Sequence, residues 1–209
     1  MRLWLVALLV PIAACSDDRG EWWQEPPAGS RWVGYDGAVV AVPDWWTTGE
    51  TQCGEPVEDT VYVDSGAIYD CANPADPAVV AEVSSLAVSS EGGRAVFEVT
   101  IADQGDGDEE QILGSRRQLP EGVTTVPLAV AGGWTPAWGA DPRTVRDLTA
   151  AIEAAGLGVR LETVEPDPNG DVADLAPGSL LDVEPALGTP VVAGSTVVLK
   201  VMGGGTSGP

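Results

Sequence analysis

The stretch TVRDLTAAIEAAG, residues 144–156, decides how the second half of the chain folds. Apolar residues recur in it at spacings of three, four and three, and so share one face of a helix. They are Val145, Leu148, Ile152 and Ala155. Thr144 is the predicted N-cap, with the carboxylate of Asp147 three residues later. Gly156 then stands where a C′ glycine ends a helix.

Three short apolar runs follow this helix and predict strands. They are Val159–Val164, Leu180–Val183 and Val197–Val201. A loop rich in Pro, Asp and Gly at 165–178 separates the first two runs, and the turn PALGTP at 185–190 follows the second. Gly188 and Gly194 occupy turn positions at which we expect a positive φ.

The order of these elements and their glycines resembles a PASTA domain, the repeat found outside penicillin-binding proteins and Ser/Thr kinases. Ala155-Gly156-Leu157 matches the end of the family's helix, and ten further positions match its motif in register. These are Gly178, Leu180, Pro185, Gly188, Val191, Gly194, Ser195, Val197, Leu199 and Val201. Residues 138–142 do not supply the family's opening Val-Pro-x-Val-x-Gly strand. The resemblance implies a helix packed on a three-stranded sheet over residues 136–203.

Some PASTA domains recognise peptidoglycan fragments, while others are spacers or protein-contact modules. If this one binds peptidoglycan, Arg143, Arg146 and Arg160 are the candidate partners for stem-peptide carboxylates. Trp134 and Trp138 are the candidate stacking surfaces for a sugar. The alternative for the two tryptophans is core or inter-domain packing, with the indole N–H hydrogen-bonded.

The N-terminus predicts export and a lipid anchor. Residues 1–14 have one basic residue and an apolar run of signal-peptide length, too short to span a bilayer as a helix. The sequence Ile-Ala-Ala-Cys at 12–15 resembles the lipobox of bacterial lipoproteins, which implies that Cys15 carries lipid. The alternative is an ordinary signal peptide cut after Ala14. We expect an extracytoplasmic protein anchored to the cell membrane through Cys15.

Residues 15–30 lack helical or strand periodicity and predict a flexible tether between the anchor and the first domain. Trp22 and Trp23 lie inside it. They either sit at the membrane interface or fold back onto the domain, and the surrounding polar residues favour the second alternative. At the other end of the chain, residues 204–209 predict a flexible tail.

Residues 31–135 predict a β-rich domain, because short apolar runs alternate with turn residues and no long helical pattern occurs. The predicted strands are Ala38–Val42, Val61–Val63, Val79–Val88, Ala95–Ile101 and Val123–Val130. With Cys15 acylated, Cys53 and Cys71 remain to form a disulfide in an oxidising compartment. Two metal-ligand thiolates are the alternative, but they lack CxxC spacing and any histidine. The predicted class is α+β: a mostly β, disulfide-closed domain followed by the PASTA-like domain.

The sequence DQGDGDEE at 103–110 is rich in carboxylates, and two interpretations of it are open. It could supply the oxygen ligands that Ca²⁺ prefers, or it could be a solvated hairpin loop. No glycine stands at the sixth position from either Asp103 or Asp106, so the EF-hand spacing is missing. The run therefore predicts a solvated loop and leaves calcium binding open.

Composition excludes several classes of function. The chain has 10 basic and 32 acidic residues, no histidine and a net charge of −22. Such a surface repels nucleic-acid phosphates and anionic lipid headgroups. Without histidine there is no Ser-His-Asp or Cys-His nucleophile and no His-ligated metal. We therefore expect a protein with no catalytic site, cofactor or metal.

Three functions remain open from the sequence. The first is a non-catalytic envelope lipoprotein, a binding or scaffold module that faces the cell wall and contacts peptidoglycan through the PASTA-like domain. The second is a spacer or partner of an envelope protein, whose acidic surface meets a basic one. The third is a hydrolase with paired carboxylates, for which no spacing nominates a pair.

Overall fold

The computed structural model of the chain describes residues 21–66, 72–102, 108–165 and 175–204. Of these residues, 38% lie in strands and 14% in helices. The predicted α+β class is therefore wrong, and the described chain is mostly β, with several small sheets. The physical reason is that 26 glycines and 17 prolines divide the chain into short extended segments. One helix alone reaches 13 residues among those described.

The described residues contain fourteen strands and three helices. The strands are β1 (Ser30–Tyr35), β2 (Ala38–Pro43), β3 (Thr47–Thr48), β4 (Thr51–Gln52), β5 (Glu55–Pro56), β6 (Thr60–Val63), β7 (Ser85–Glu91), β8 (Arg94–Thr100), β9 (Arg117–Gln118), β10 (Val123–Thr125), β11 (Gly158–Val164), β12 (Leu180–Glu184), β13 (Pro190–Val192) and β14 (Thr196–Met202). The helices are α1 (Pro77–Val80), α2 (Asp108–Gly114) and α3 (Pro142–Ala154).

The first sheet has the strand order β1-β2-β9, and all its pairs are antiparallel. Asp36 and Gly37 connect β1 to β2 with positive φ at both positions, which is the geometry of a two-residue hairpin turn. Strand β2 is buried from Ala38 to Val42 because both of its faces are covered. Val40 and Val42 lie in the main core, whereas Val39 and Ala41 pack with Trp32 on the other side.

The second sheet has the order β3-β6-β7-β8 and is mixed. Strands β3, β6 and β7 are parallel to one another, and β8 runs antiparallel to β7. The crossover from β6 to β7 contains α1, for which Asp76 is the N-cap and Pro77 the first residue. The strand predicted over Val79–Val88 is therefore wrong at its start and correct from Ser85 onward. Of the strand predicted over Val123–Val130, only Val123–Thr125 forms.

The C-terminal region contains the helix and the three strands that the apolar pattern predicts. Strands β11, β14 and β12 form a sheet in that order, with β11 parallel and β12 antiparallel to β14. Helix α3 buries Val145, Leu148 and Ile152 in the core, and Ala155 is partly buried against it. Gly188 and Gly194 have φ of +78° and +83°, which confirms the positive φ expected at both turns.

The start of α3 differs from the prediction. Asp141, not Thr144, is the N-cap, and its side chain accepts hydrogen bonds from the backbone N–H groups of Arg143 and Thr144 at 2.8 and 3.0 Å. These bonds lower the pKa of Asp141. Asp147 is exposed within the helix and does not cap it. Gly156, with φ of +75°, is the C′ glycine as predicted.

A seam of backbone hydrogen bonds crosses the predicted boundary between residues 135 and 136. Strand β10 pairs antiparallel with β13. The N–H of Gly34 donates to the carbonyl oxygen of Gly188, and the N–H of Gly188 donates to that of Val126, both at 2.8 Å. A single core cluster extends from Val33 to Val201. The two predicted domains therefore share a β-ladder and a hydrophobic core.

Part of the predicted tether is folded against the first sheet. The rings of Trp22 and Trp32 meet edge to face with centroids 5.3 Å apart. The guanidinium of Arg117 lies 5.1 Å from the Trp22 ring and 5.9 Å from the Trp32 ring, in cation–π geometry. Of the two alternatives for Trp22, folding back onto the domain is the one that the structure shows.

Candidate functional site

Two clefts lie beside the predicted tryptophans Trp134 and Trp138, and the larger of these, about 490 Å³ in volume, opens where strand β6 ends. Tyr62 and Val63 form its floor, the β4–β5 hairpin forms one wall, and Trp134 with Thr135 forms the other. The remaining lining residues come from the hairpin and from the chain just after β6. They are Thr51, Cys53, Gly54, Glu55, Asp64 and Ser65.

Local hydrogen bonds fix the walls of this larger cleft. Cys53 and Gly54, with φ of 60° and 85°, make the two-residue turn of the β4–β5 hairpin. The backbone N–H of Val63 donates to Oγ1 of the buried Thr135 at 2.8 Å, which holds the second wall to the floor. Trp134 follows a tight turn, since its carbonyl oxygen accepts from the N–H of Val130 at 3.1 Å. Trp134 as a residue is 37% exposed.

The larger cleft is electronegative. Glu55 and Asp64 line it, and none of its ten lining residues is Arg or Lys. The pKa of Tyr62 is raised, first by partial burial and then by the charges of Asp64, Glu55 and Glu98. Glu98 lies in the same cross-strand row as Tyr62, because Ala87 pairs with both residues.

The smaller cleft, of about 200 Å³, lies on the other side of residues 135–136. Strand β12 and the turn after it form one side, and residues 136–138 with Thr48 form the other. Trp138 is 52% exposed. The carboxylate of Asp182, which also lines this cleft, pairs with Lys200 Nζ at 3.1 Å. Lys200 also pairs with Glu184. The smaller cleft is therefore closer to neutral than the larger one.

A partly buried arginine, Arg31, positions the Thr48 side of the smaller cleft. Nη2 of Arg31 donates to the carbonyl oxygens of Trp46 and Thr47, both at 3.0 Å, and to Oγ1 of Thr48 at 2.8 Å. Burial lowers the pKa of Arg31 to about 10. A guanidinium stays charged at neutral pH even so, and it serves here as a rigid donor to the β3 segment.

A carboxylate also binds the backbone beside Trp138. Glu50 accepts a hydrogen bond from the Trp138 backbone N–H, and this bond lowers the pKa of Glu50. Partial burial and the charge of the nearby Glu58 have the larger, opposite effect, so the pKa of Glu50 is raised overall. Gly49 precedes it with φ of +85°, and a Cβ there would lie 2.8 Å from the carbonyl oxygen of Pro136. Residues 49–50 therefore pack closely against 136–138.

The structure separates the five ligand-binding residues predicted from the sequence. Trp134 lines the larger cleft and Trp138 the smaller one. Arg143 and Arg146 are exposed on α3, whereas Arg160 is exposed on β11. The neighbour of Arg160, Val159, packs against the core cluster that also holds α3, so Arg160 points to the opposite face of the sheet. The three arginines line neither cleft.

Several predicted features lie outside the described residues. Cys15 and Cys71 are among them, as are residues 103–107 of the carboxylate run. Cys53, which is described, has its Sγ 3.1 Å from the carbonyl oxygen of Asn73. Because Cys71 lies outside the described residues, the Cys53–Cys71 pairing stays a prediction. The end of the carboxylate run belongs to α2, which begins at Asp108.

The described part of the chain has neither a clustered set of metal ligands nor a helix that could span a membrane. Over these residues, no group of three or more His, Cys, Asp or Glu side chains is arranged to hold a metal ion. Within the same ranges, no helix has the length and hydropathy needed to cross a membrane.

Sequence reasoning identified the tryptophan of each cleft but missed the residues around them. Glu55, Tyr62 and Asp64 come together only because the β4–β5 hairpin folds over the end of β6. The sequence carries one local signal for that hairpin, the Cys53-Gly54 pair between two short polar segments. Glycine at the second position of a two-residue turn is typical of such hairpins. Comparison with protein-family models, with curated proteins and with solved structures finds no match to this chain.

Proposed function

We propose that this chain is a non-catalytic lipoprotein of the cell envelope whose C-terminal region contacts the cell wall. Lipid on Cys15 would hold it at the membrane, and Trp138 would stack on a sugar ring of peptidoglycan. The observation that carries the proposal is the half-exposed Trp138 over a shallow cleft of about 200 Å³. A flat aromatic face beside hydrogen-bonding groups is a suitable platform for a sugar ring.

The electrostatics of the smaller cleft favour a neutral sugar. Its carboxylate, Asp182, shares the ammonium of Lys200 with Glu184, so a neutral glycan meets less unpaired charge there than in the larger cleft. The polypeptide around it is also firmly placed. The N–H of Gly139 donates to the carbonyl oxygen of Leu180, and the N–H of Leu180 donates to that of Ala140, both at 2.8 Å. A preorganised platform loses little entropy when it binds.

The resemblance of residues 155–201 to the PASTA motif is the second support for wall contact. Its members include peptidoglycan-binding modules, and the motif occurs here in register. The lipobox at 12–15 supplies the third support, because a diacylated cysteine gives two chains and thus a stable anchor. An acidic body with a charge of −22 contributes no attraction to anionic lipid.

Sedimentation with purified sacculi tests the wall contact. We expect the protein to sediment with sacculi at both low and high salt, because ring stacking and hydrogen bonds to a neutral sugar depend little on ionic strength. Loss of sedimentation at high salt, together with salt-sensitive capture of a basic envelope protein, would instead support the partner or spacer role.

The anchor has its own test. We expect Cys15→Ala to move the protein from the membrane fraction to the medium or to leave it unprocessed, since the alanine side chain cannot be acylated. Fractionation followed by immunoblotting measures this, and Glu58→Ala is the control because it changes an exposed residue and leaves the lipobox intact. A processed Cys15→Ala protein that stays in the membrane fraction would contradict the lipid anchor.

A further inference from the structure

We propose that the larger cleft, beside Tyr62 and Trp134, binds an organic cation: an ammonium or guanidinium group on a short aliphatic stem. The site lies in the β-rich region and is separate from the Trp138 platform. The two proposals can therefore fail independently.

The negative charge of the larger cleft favours a positively charged ligand. Glu55 and Asp64 line it, and no described Arg or Lys forms an ion pair with either carboxylate. The smaller cleft differs, because its carboxylate, Asp182, forms an ion pair with Lys200. An anion entering the larger cleft would meet repulsion, whereas an ammonium group would gain two charge-assisted hydrogen bonds.

The aromatic groups select the shape of the ligand. Trp134 exposes part of its ring at the rim, and Tyr62 is half-buried in the floor. Cations are attracted to the faces of such rings, most strongly to Trp. An aliphatic stem lying on the indole would also bury apolar surface. Carboxylates beside exposed aromatic rings are the usual chemistry of sites that recognise amines.

The walls are held in place before a ligand arrives. Thr135 ties the Trp134 wall to strand β6 through the 2.8 Å hydrogen bond from Val63. Asp64 Oδ1 accepts from the N–H of Gly66 at 2.8 Å, which fixes the direction of its carboxylate. The opposite wall is the β4–β5 hairpin, paired in register between Thr51 and Pro56. A site with fixed walls loses little binding energy to ordering.

Calorimetric titration of the full chain with cadaverine, and with pentanediol as its neutral analogue, tests the proposal. We expect wild-type protein to bind cadaverine, with weaker binding at high salt, and to show no heat with pentanediol. Asp64→Asn and Glu55→Gln should each weaken cadaverine binding about tenfold, because each removes one charge-assisted bond. Glu58→Gln is the matched control, since it removes the same charge from an exposed residue that does not line the cleft.

Trp134→Leu should weaken binding as well, whereas Trp45→Leu should not, because Trp45 is exposed and lines neither cleft. Unchanged melting temperatures of these surface variants would establish that binding alone has changed. The proposal is overturned if cadaverine does not bind, if pentanediol binds equally well, or if Glu58→Gln weakens binding as much as Asp64→Asn. Binding of a neutral N-acetylated sugar glycoside that survives Asp64→Asn would also overturn it and assign the cleft to saccharides.

Discussion

Ile152→Asp should lower the free energy of unfolding more than a substitution at any exposed position of α3. Ile152 is fully buried, and it packs with Val145 and Leu148 in the core shared by α3 and the C-terminal sheet. A carboxylate placed there has no cationic partner and must either lose its hydration or open the packing. We expect a loss of about 3–5 kcal/mol in the free energy of unfolding.

Chemical denaturation of the full chain measures this loss. Ala150→Asp is the matched control, because it puts the same carboxylate at an exposed position of α3. It should cost less than about 1 kcal/mol, the difference in helix propensity. If Ile152→Asp and Ala150→Asp have equal effects, α3 does not bury this face.

Gly188→Ala should cause the second largest loss in the free energy of unfolding, because it adds both backbone strain and a steric clash. The residue has φ of +78°, which an alanine adopts only with strain. A Cβ would also lie 3.0 Å from Val33 Cγ1 and 3.4 Å from Leu128 Cδ1. Both neighbours belong to the core, so they have little room to move. We expect a loss of about 2–3 kcal/mol.

Gly194→Ala separates the two costs. Gly194 has a similar φ of +83°, but a Cβ there would meet no heavy atom within 4 Å. Its substitution should therefore cost only the backbone strain, about 1 kcal/mol. The difference in the free energy of unfolding between the two variants therefore measures the close packing of residue 188 against residues 33–34. Equal losses for the two variants would mean that this packing does not form.

The C-terminal helix could be predicted because its signals are local. The spacing of Val145, Leu148 and Ile152 already defines a buried face, and the structure buries all three. The start of this helix could not be predicted from the apolar spacing, because its N-cap Asp141 and the following Pro142 precede the first apolar residue of that pattern. The same Asp-Pro pair starts α1 at Asp76-Pro77, and the strand predicted from Val79 overlaps the end of that helix. Aspartate followed by proline is a helix-start signal in both places.

The pairing of distant strands could not be predicted, because it leaves no local pattern. Nothing near Val123–Thr125 indicates that β10 pairs with β13, about seventy residues later. The parallel pairing of β6 and β7 depends likewise on the crossover that contains α1. Both clefts arise from such long-range contacts. The sequence could therefore nominate Trp134 and Trp138 but not the carboxylates and hydroxyls that surround them.

The most direct test of the proposed wall contact is the amount of protein that sediments with purified sacculi, compared among the wild type, Trp138→Ala and Trp45→Ala. Both tryptophans are exposed, at 52% and 67%, so neither substitution should disturb folding. Only Trp138 lines the smaller cleft. We predict that wild type and Trp45→Ala sediment equally and that Trp138→Ala binds about tenfold more weakly, the loss expected for one stacked ring. Equal sedimentation of all three proteins, or none by any of them, would contradict wall contact through Trp138.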